Sequence, residues 1–241
     1  MIELRNLSKS YNKGKVKAVN NLNLTVQPGE IFGFLGPNGA GKTTTIKMIV
    51  GLLKPDNGDI ILNGLCNQEH SLKCKSMIAY IPEDPEIYDR LTGLEYINFI
   101  GDVYGTPAKV RTTLTEKWSE IFELTNAIKQ SIKSYSHGMR QKIILIGAIV
   151  ARPEIFILDE PLTGLDPKSA HSLKEIMHEH CKQGKTLFFS THIMEVAEKL
   201  CDRIGIINNG ELIACGTMDE LKHISKSSES LENIFLEITE K

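Results

Sequence analysis

The sequence has no run of apolar residues long enough to cross a membrane. Its longest such run, residues 143–151, falls far short of the roughly 20 residues that a bilayer requires, and Lys142 and Arg152 flank it. Residues 1–15 begin polar and lack the apolar segment of a signal peptide. We therefore expect a chain that is soluble by itself and carries no secretion signal.

The sequence also lacks a large net charge and a cysteine pattern that would indicate disulfide bonds or a metal site. The formal net charge is −2, so no overall basic field favours nucleic acid or an anionic lipid surface as a partner. The five cysteines, at positions 66, 74, 181, 201 and 215, are odd in number, scattered and without a C-x-x-C pair. We expect reduced thiols packed as small hydrophobic side chains, as is typical of a cytosolic protein.

No internal repeat is visible, and short apolar runs instead alternate with helical ones. The run Ile31–Leu35 predicts a strand, and the segment after it has apolar residues at helical spacing, with Pro55 predicted to end the helix. Comparable strand-like runs lie near Ile60, from Ile78, and before Asp159, Thr191 and Asn208. This order predicts an α/β domain with a largely parallel central sheet.

The stretch from Glu83 to about Tyr135 has a different character. Its composition is mostly helical and its apolar residues form stripes at helical spacing, which predicts a small helical lobe that packs on itself. The tail, residues 226–241, predicts a polar, serine-rich bend followed by a short amphipathic helix.

The most specific motif is GPNGAGKT, residues 36–43, between a predicted strand and a predicted helix. It matches G-x-x-x-x-G-K-[ST], in which glycines let backbone N–H groups wrap a phosphate chain at a helix N-terminus. Lys42 would reach the β- and γ-phosphates, and the Thr43 hydroxyl would ligate Mg²⁺. A chance glycine-rich turn is the alternative, but the match is complete and in context. The predicted ATP-binding residues here are Gly36, Pro37, Asn38, Gly39, Ala40, Gly41, Lys42, Thr43 and Thr44.

The segment IFILDEP, residues 155–161, supplies two carboxylates at the end of an apolar strand. Open α/β sheets bind their ligands at the carboxyl ends of their strands, where Asp159 could hold Mg²⁺ through water. Glu160 follows at once and is positioned to orient or deprotonate the attacking water. Alone, such a pair would be interpreted as a solvated loop, but the phosphate loop favours the catalytic interpretation.

The stretch YSHGMRQK, residues 135–142, could be a catalytic pair, a helix cap or an anion site. A Ser136–His137 nucleophile and base is disfavoured, because adjacent side chains rarely face each other and no third orienting group is apparent. Ser is a preferred N-cap, Gly138 permits close approach, and the apolar helix that follows is predicted to be buried on every side. A capped N-terminus can also accept a phosphate, so these two roles are compatible.

Five motifs occur in this order: GPNGAGKTT, YSHGMRQK, ILDEP, TGLDP and FSTH. Together they resemble the nucleotide-binding subunits of ABC transporters, from Ile2 to about Glu220. The resemblance implies a P-loop NTPase with a RecA-like core of mainly parallel sheet, an N-terminal antiparallel β subdomain and an inserted α-helical lobe. The core with the β subdomain would occupy residues 1–82 and 152–222 of a single ABC ATPase domain, the helical lobe 83–151 and the tail helix 223–241.

By this resemblance YSHGMRQK is the signature motif, which is usually closer to LSGGQ. Its helix would point its N-terminus at the γ-phosphate of ATP bound to the other subunit, with Ser136 and Gly138 at the phosphate-contacting positions. His137 stands where the family has Gly, and Met139 where a Gln is common. These replacements weaken the match and leave the cap in place.

Three further positions follow from the resemblance. Tyr11, with Val16 nearby, matches the aromatic residue that stacks on adenine, and an exposed hairpin tyrosine is the alternative. Asp166 matches the D-loop that crosses the dimer interface, but before Pro167 it is also an ideal N-cap. His192 matches the switch histidine that contacts the γ-phosphate, in place of a purely structural histidine.

The sequence departs from the family at Glu83, where the Q-loop has a Gln whose oxygen joins the Mg²⁺ shell. A carboxylate is a better Mg²⁺ ligand than an amide, so the predicted metal ligands are Thr43, Glu83 and Asp159. A third carboxylate would then join Asp159 and Glu160 around one site. We expect Glu83→Gln to keep much of the ATPase activity.

The resemblance implies an ATPase that uses ATP and Mg²⁺, in which Lys42, Glu160 and His192 are catalytic. ATP would close a head-to-tail dimer with a second ATPase subunit, identical or not, and drive a separately encoded membrane permease. The chain resembles bacterial ABC-2-type exporter ATPases more than importers. The chain would lie in the cytoplasm, peripheral on the inner face of the membrane. Two alternatives are an ABC-type ATPase acting on nucleic acid or ribosomes and an ATP-gated regulator. Against them stand the absence of long coiled-coil insertions and the presence of Glu160.

Overall fold

The alternating runs of the sequence fold into two sheets with helices packed on them. The computed structural model describes residues 1–12, 14–84, 87–224 and 230–239. Its strands are β1 (Ile2–Tyr11), β2 (Val16–Val26), β3 (Ile31–Leu35), β4 (Asn57–Leu62), β5 (Leu65–Cys66), β6 (Ile78–Ile81), β7 (Ile155–Asp159), β8 (Thr186–Thr191), β9 (Arg203–Asn208) and β10 (Glu211–Gly216). Its helices are α1 (Lys42–Ile49), α2 (Ser71–Met77), α3 (Gly93–Val103), α4 (Ala108–Ile121), α5 (His137–Val150), α6 (Pro167–Lys182), α7 (Met194–Leu200), α8 (Met218–Ile224) and α9 (Leu231–Thr239).

The larger sheet has the order β10-β9-β3-β8-β7-β6 and is parallel except for β10. Its central strands are apolar and buried on both faces, as parallel strands covered by helices require. In register, Leu35 lies beside Thr191, and Asp159 beside Ser190. The predicted strands therefore bring their carboxyl ends to one edge, which is where the candidate site lies.

The smaller sheet is antiparallel and has the order β2-β1-β4-β5. Its central strand β1 pairs with β2 and β4, so that Ile2 lies opposite both Val26 and Leu62. These residues are fully buried in the same hydrophobic cluster as α1. The antiparallel β subdomain that the resemblance implied is confirmed, together with the P-loop core.

The helical lobe consists of α3 and α4 packed on α5, around a core that includes Ile97, Phe122 and Ile143. Helix α3 begins with a capping box in which the Thr92 side chain accepts from the Glu95 backbone, while the Glu95 side chain accepts from the Thr92 backbone. Helix α5 is buried on every side from residue 143 to 148, as its apolar sequence predicts.

Helix α1 ends earlier than the sequence indicated. The helix was expected to run until Pro55, but its last residue is Ile49. Gly51 takes a left-handed conformation with φ 73°, and the N–H groups of Leu52 and Leu53 both bond to Lys47 O. This glycine stop satisfies the last carbonyls of the helix well before the proline.

The tail ends in the predicted amphipathic helix, α9, which buries Leu231, Ile234 and Phe235. The bend predicted before it falls mainly on residues 225–229, which lie outside the described residues. All five cysteines are free. Within the part of the chain that the structure describes, no helix has the length and apolar character of a membrane span.

Candidate functional site

The loop between β3 and α1 borders a cleft of about 310 Å³ at the carboxyl edge of the parallel sheet. The residues that line it are Ala18, Pro37, Asn38, Gly39, Gly41, Lys42, Thr43, Thr44, Glu83 and Glu160. Most of the predicted phosphate-loop residues are thus gathered on one open surface. Gly36 and Ala40 are buried and do not line the cleft, and a Cβ at Gly36 would overlap the backbone oxygen of Ile207.

Gly41 shows why this loop needs glycine. It has φ 110°, a conformation that L side chains rarely adopt, and a Cβ there would overlap the backbone oxygen of Ala18. Strand β2 therefore packs directly against the phosphate loop. The contact fixes the loop beneath the cleft before any ligand arrives.

Lys42 begins α1 and is buried, with 6% of its surface exposed. Its Nζ donates to Gly36 O at 2.7 Å and to Pro37 O at 3.3 Å, and lies 3.6 Å from Glu160 Oε1. The ammonium group is thereby held inside the curve of the phosphate loop. A cation fixed there can contact the outer phosphates of a nucleotide.

Asp159 ends β7 and is almost fully buried, at 1% exposed. Ser190 Oγ donates to Asp159 Oδ1 at 2.5 Å, while Oδ2 accepts no hydrogen bond among the described residues. An unpaired buried carboxylate oxygen is costly unless a cation or a water satisfies it. With the Thr43 hydroxyl lining the cleft, the donor set fits Mg²⁺.

Glu160 follows Asp159 in a left-handed conformation with φ 48°, which is uncommon outside glycine. Its backbone N–H donates to Ser190 O at 3.3 Å and to Ser190 Oγ at 3.2 Å. The carboxylate is 5% exposed, and His192 Nδ1 approaches Oε1 to 2.9 Å without hydrogen-bond alignment. This strained turn directs Glu160 into the cleft beside Lys42, whereas Asp159 and His192 contact the site without lining the cleft.

Glu83 lines the cleft, but its side chain is exposed. Burial, and after it the charges of Asp159 and Glu83, raises the pKa of Tyr80 on β6. In the described parts of the chain, no three carboxylate, imidazole or thiolate side chains are grouped to hold a metal ion. A metal at this site would therefore depend on the Thr43 hydroxyl, phosphate oxygens and water beside the carboxylates.

The signature end of the molecule, residues 135–142, is built differently. Ser136 caps α5 by accepting from the Met139 N–H at 3.3 Å, which confirms the predicted N-cap. Neither Ser136 nor Gly138 lines the cleft, and Ser136 and His137 are exposed. The His137 ring packs over Gly164, where a Cβ would lie 3.2 Å from Nε2.

Two side chains on the first turns of α5 tie this end to the segment after Glu160. Gln141 Nε2 donates to Pro161 O at 3.1 Å, and Lys142 Nζ lies 2.7 Å from Asp166 Oδ2. Asp166 also caps α6 by accepting from Ser169. Lys142, and after it Ser169, hold the pKa of Asp166 well below its usual range.

Tyr11 and Val16 pair with each other at the loop end of the β1–β2 hairpin. These two residues are 41% and 50% exposed, and neither lines the nucleotide cleft. This geometry is that of an exposed tyrosine in a hairpin. An adenine-stacking role for the pair stays a prediction.

Sequence reasoning did not identify Ser190 or Gln141 as parts of the site. Ser190 is fully buried, ends an apolar run and contacts both Asp159 and Glu160. Its polar side chain directly after the apolar residues 187–189 was the available signal. Gln141 is 2% exposed on α5, and no local pattern indicates its partner 20 residues away.

Comparison with known proteins identifies the family. A family model described as ABC transporter matches residues 19–163. The ABC-type transporter ATP-binding protein EcsA of Bacillus subtilis is 35% identical over 240 residues, covering 99% of this chain and 96% of EcsA. The chain belongs to the ABC transporter ATP-binding subunits. This ABC subunit is therefore an ATP-binding and ATP-hydrolysing protein.

Further similarities extend over most of the ABC subunit. It is 38% identical over 215 residues to the Nod factor export ATP-binding protein I of Burkholderia lata, covering 89% of this chain and 70% of the relative. A solved structure of the ATP-binding subunit of an ABC transporter superposes with a TM-score of 0.94 at 33% identity, covering 99% of each chain. The fold predicted from the sequence is confirmed.

Proposed function

We propose that this ABC subunit powers transport by hydrolysing ATP in a head-to-tail dimer, each site being shared by two subunits. The observation that carries the proposal is the separation of the two ends described above. Lys42 and Glu160 line the cleft and His192 lies 2.9 Å from Glu160, while Ser136 and Gly138 are not part of its lining and stand at the capped start of α5. An exposed helix N-terminus is a suitable site for the phosphate of a nucleotide held by another subunit.

Within one cleft we assign each side chain a role from its position. The phosphate loop would hold the triphosphate through backbone N–H groups, with Lys42 on the outer phosphates. Thr43 and Asp159 would hold Mg²⁺, with Glu83 at the rim, and the metal would neutralise charge on the β- and γ-phosphates. Glu160 would accept a proton from the attacking water, and His192, 2.9 Å away, would hold that carboxylate and contact the γ-phosphate.

The membrane partner is a separate polypeptide in this proposal. An exposed apolar patch on the helical lobe supports it: Tyr88 stacks edge-on against Phe99, and Val103 lies one turn further along α3. These side chains are 60%, 43% and 63% exposed, which is unusual for contiguous apolar groups on a solvated surface. Tyr88 lies five residues after Glu83 in sequence, so a permease bound to this patch would contact the segment that follows a residue of the nucleotide cleft.

Export is the direction we propose, because one relative is named for export of a Nod factor. The subunit would then work at the inner face of the cell membrane. An ABC-type ATPase on nucleic acid or ribosomes is less well supported, since the longest helix among the described residues, α6, has only 16 residues and forms no coiled-coil insertion. A regulator with negligible turnover does not need Glu160 held in the cleft.

Co-purification tests the transport proposal. The wild-type subunit, expressed in its own host, should capture an integral membrane protein, and the double variant Tyr88→Ser/Phe99→Ser should lose that partner while keeping its ATPase activity. Leu236→Ser, which changes an exposed leucine on α9, is the matched control and should retain the partner. Capture of ribosomes or nucleic acid alone would contradict the proposal.

A further inference from the structure

A second cavity, of about 560 Å³, lies at the opposite end of the parallel strands from the nucleotide cleft. Its walls come from α4, the end of α5, the start of β7 and the end of α6. It is thus bordered by both the helical lobe and the core. It shares no lining residue with the nucleotide cleft, and its size is within the range of pockets for small organic ligands.

The floor of this cavity is apolar and partly aromatic. Trp118, Phe156 and Ile176 line it, and Phe156 and Ile176 are buried. The His180 ring packs edge-on against Phe156 with centroids 5.0 Å apart, and burial, with the charge of Lys185 second, lowers the pKa of His180 to about 4. The floor is therefore uncharged at neutral pH and suits a flat apolar body.

The rim carries cations that have no acidic partner. Lys117, Arg152 and Lys182 line the opening, and none of them forms an ion pair within the described part of the chain. Lys185 also lines the cavity and lies 3.9 Å from Glu154 Oε1. Two carboxylates, Glu175 and Glu179, line it as well and form no ion pair among the described residues. Because four cationic side chains stand against these two carboxylates, the net charge of the lining is positive.

Arg152 occupies a backbone position that does not favour arginine. It follows the cap of α5 with φ 51°, and its N–H bonds to Ile149 O. Glycine is the usual residue at this left-handed position after a helix, because it has no Cβ to clash. An arginine side chain does not stabilise this backbone conformation, but it places a guanidinium group at the mouth of the cavity.

We propose that this cavity binds a small organic anion, with a flat or acyl apolar body on the floor and one acidic group between Arg152 and Lys182. This site shares no lining residue with the nucleotide cleft, and the proposal does not rest on the transport proposal. Because β7 begins at this cavity and ends at Asp159, and α5 ends here and begins at the signature end, an occupant would touch two elements that lead to the ATP site. That placement is suited to an effector of the ATPase.

The single tryptophan of the sequence, Trp118, lies in the cavity and reports on binding directly. The probe is 8-anilinonaphthalene-1-sulfonate, titrated with saturating MgADP present so that the phosphate loop is occupied. It should bind saturably and quench Trp118 with energy transfer to the probe. N-phenyl-1-naphthylamine, the same rings without the sulfonate, should bind at least about tenfold more weakly, since hydrogen bonds to charged groups are strong.

The variant Arg152→Gly distinguishes a loss of ligand binding from a loss of stability, because glycine is the residue that this backbone conformation favours. It should weaken binding of the sulfonate about tenfold without lowering the unfolding midpoint, and Lys182→Met should also weaken it. Lys199→Met, which removes a lysine that is paired with Glu195 on α7 and lies outside the cavity, should change nothing. Equal binding of the neutral and sulfonated probes, or unchanged binding to Arg152→Gly, would overturn the proposal.

Two competitors then distinguish the source of the natural anion. Displacement of the probe by decanoate would support an occupant with an acyl chain, as a membrane lipid would release. Displacement by 1-naphthoate would support a ring-bearing metabolite. If neither carboxylate displaced the sulfonate at millimolar concentration, the assignment of an organic-anion site would be wrong.

Discussion

The nucleotide cleft and the signature end differ in how their charges are treated. At the nucleotide site Lys42, Asp159 and Glu160 are 6%, 1% and 5% exposed, and one oxygen of each carboxylate accepts no hydrogen bond from the described residues. At the signature end Ser136 is exposed and caps its helix, while Lys142 and Asp166 are paired. The nucleotide site holds buried charges that a metal ion and phosphates can satisfy. At the signature end the helix cap and the ion pair already satisfy these polar groups, so this end can serve only a ligand that another subunit holds.

The glycines of the two ends show the same difference. A Cβ at Gly41 would overlap the backbone of Ala18, so the fold itself requires that glycine. A Cβ at Gly138 would meet only Gly164 O, at 3.5 Å, which is ordinary contact. Nothing in the single chain requires Gly138, and a requirement observed in solution must come from a contact made outside it.

The largest effect is expected in the cleft, from Glu160→Gln. Removing the proton acceptor should lower the ATPase rate at least about 100-fold while ATP still binds. The Glu160→Gln variant should also move from monomer to dimer when ATP is added, as measured by size-exclusion chromatography with light scattering. The exposed Glu154 provides the control Glu154→Gln, which should behave as wild type. A monomer at saturating ATP would count against shared sites.

The next largest effect is expected at the signature end, from Gly138→Ala. We expect the ATPase rate to fall about tenfold, because the added methyl group separates the helix N-terminus from a phosphate on the partner. Nucleotide affinity of the monomer and the unfolding midpoint should stay at wild-type values, because the site has room for the methyl group. A lowered midpoint would mean that Gly138 serves the fold, and unchanged ATPase would mean that it contacts no nucleotide.

A smaller effect is expected from Glu83→Gln. Glu83 is exposed at the rim of the cleft, so the amide should keep the ATPase rate within a few-fold of wild type. A titration of the rate with Mg²⁺ would show whether metal affinity changes. A loss as deep as that of Glu160→Gln would show that Glu83 takes part in the chemistry.

The smallest effect concerns Asp166, whose pKa is lowered by Lys142 and Ser169. A group with a lowered folded-state pKa adds stability above its unfolded pKa, which is lost as pH falls through the folded one. Asn is also a good N-cap, so Asp166→Asn should cost less than about 1 kcal/mol at pH 7, the worth of an exposed ion pair. Urea unfolding should show this difference shrinking progressively as the pH falls below about 4, toward the lowered pKa of folded Asp166. A difference that persists in acid would point to capping.

Local sequence patterns predicted much of the fold and the cleft. The phosphate loop, the strand that ends at Asp159 and the cap at Ser136 each depend on a few consecutive residues, so their chemistry was readable. The helix stop at Gly51 was missed, because Pro55 is the stronger breaker in sequence, although a left-handed glycine acts first. The bonds from Ser190 to Asp159 and from Gln141 to Pro161 join distant segments, and only the packed fold brings them together.

Complementation between two inactive variants tests the shared site most directly. Lys42→Ala inactivates the nucleotide cleft of its own chain and leaves the signature end intact. Gly138→Asp places a negative charge that repels the phosphate held by the partner, and it leaves the cleft of its own chain intact. Each variant alone should have almost no ATPase activity. Mixed, they should recover activity, because the heterodimer contains one intact cleft facing one intact signature end. No recovery, at concentrations where the wild type is active, would contradict an ATP site built from two subunits.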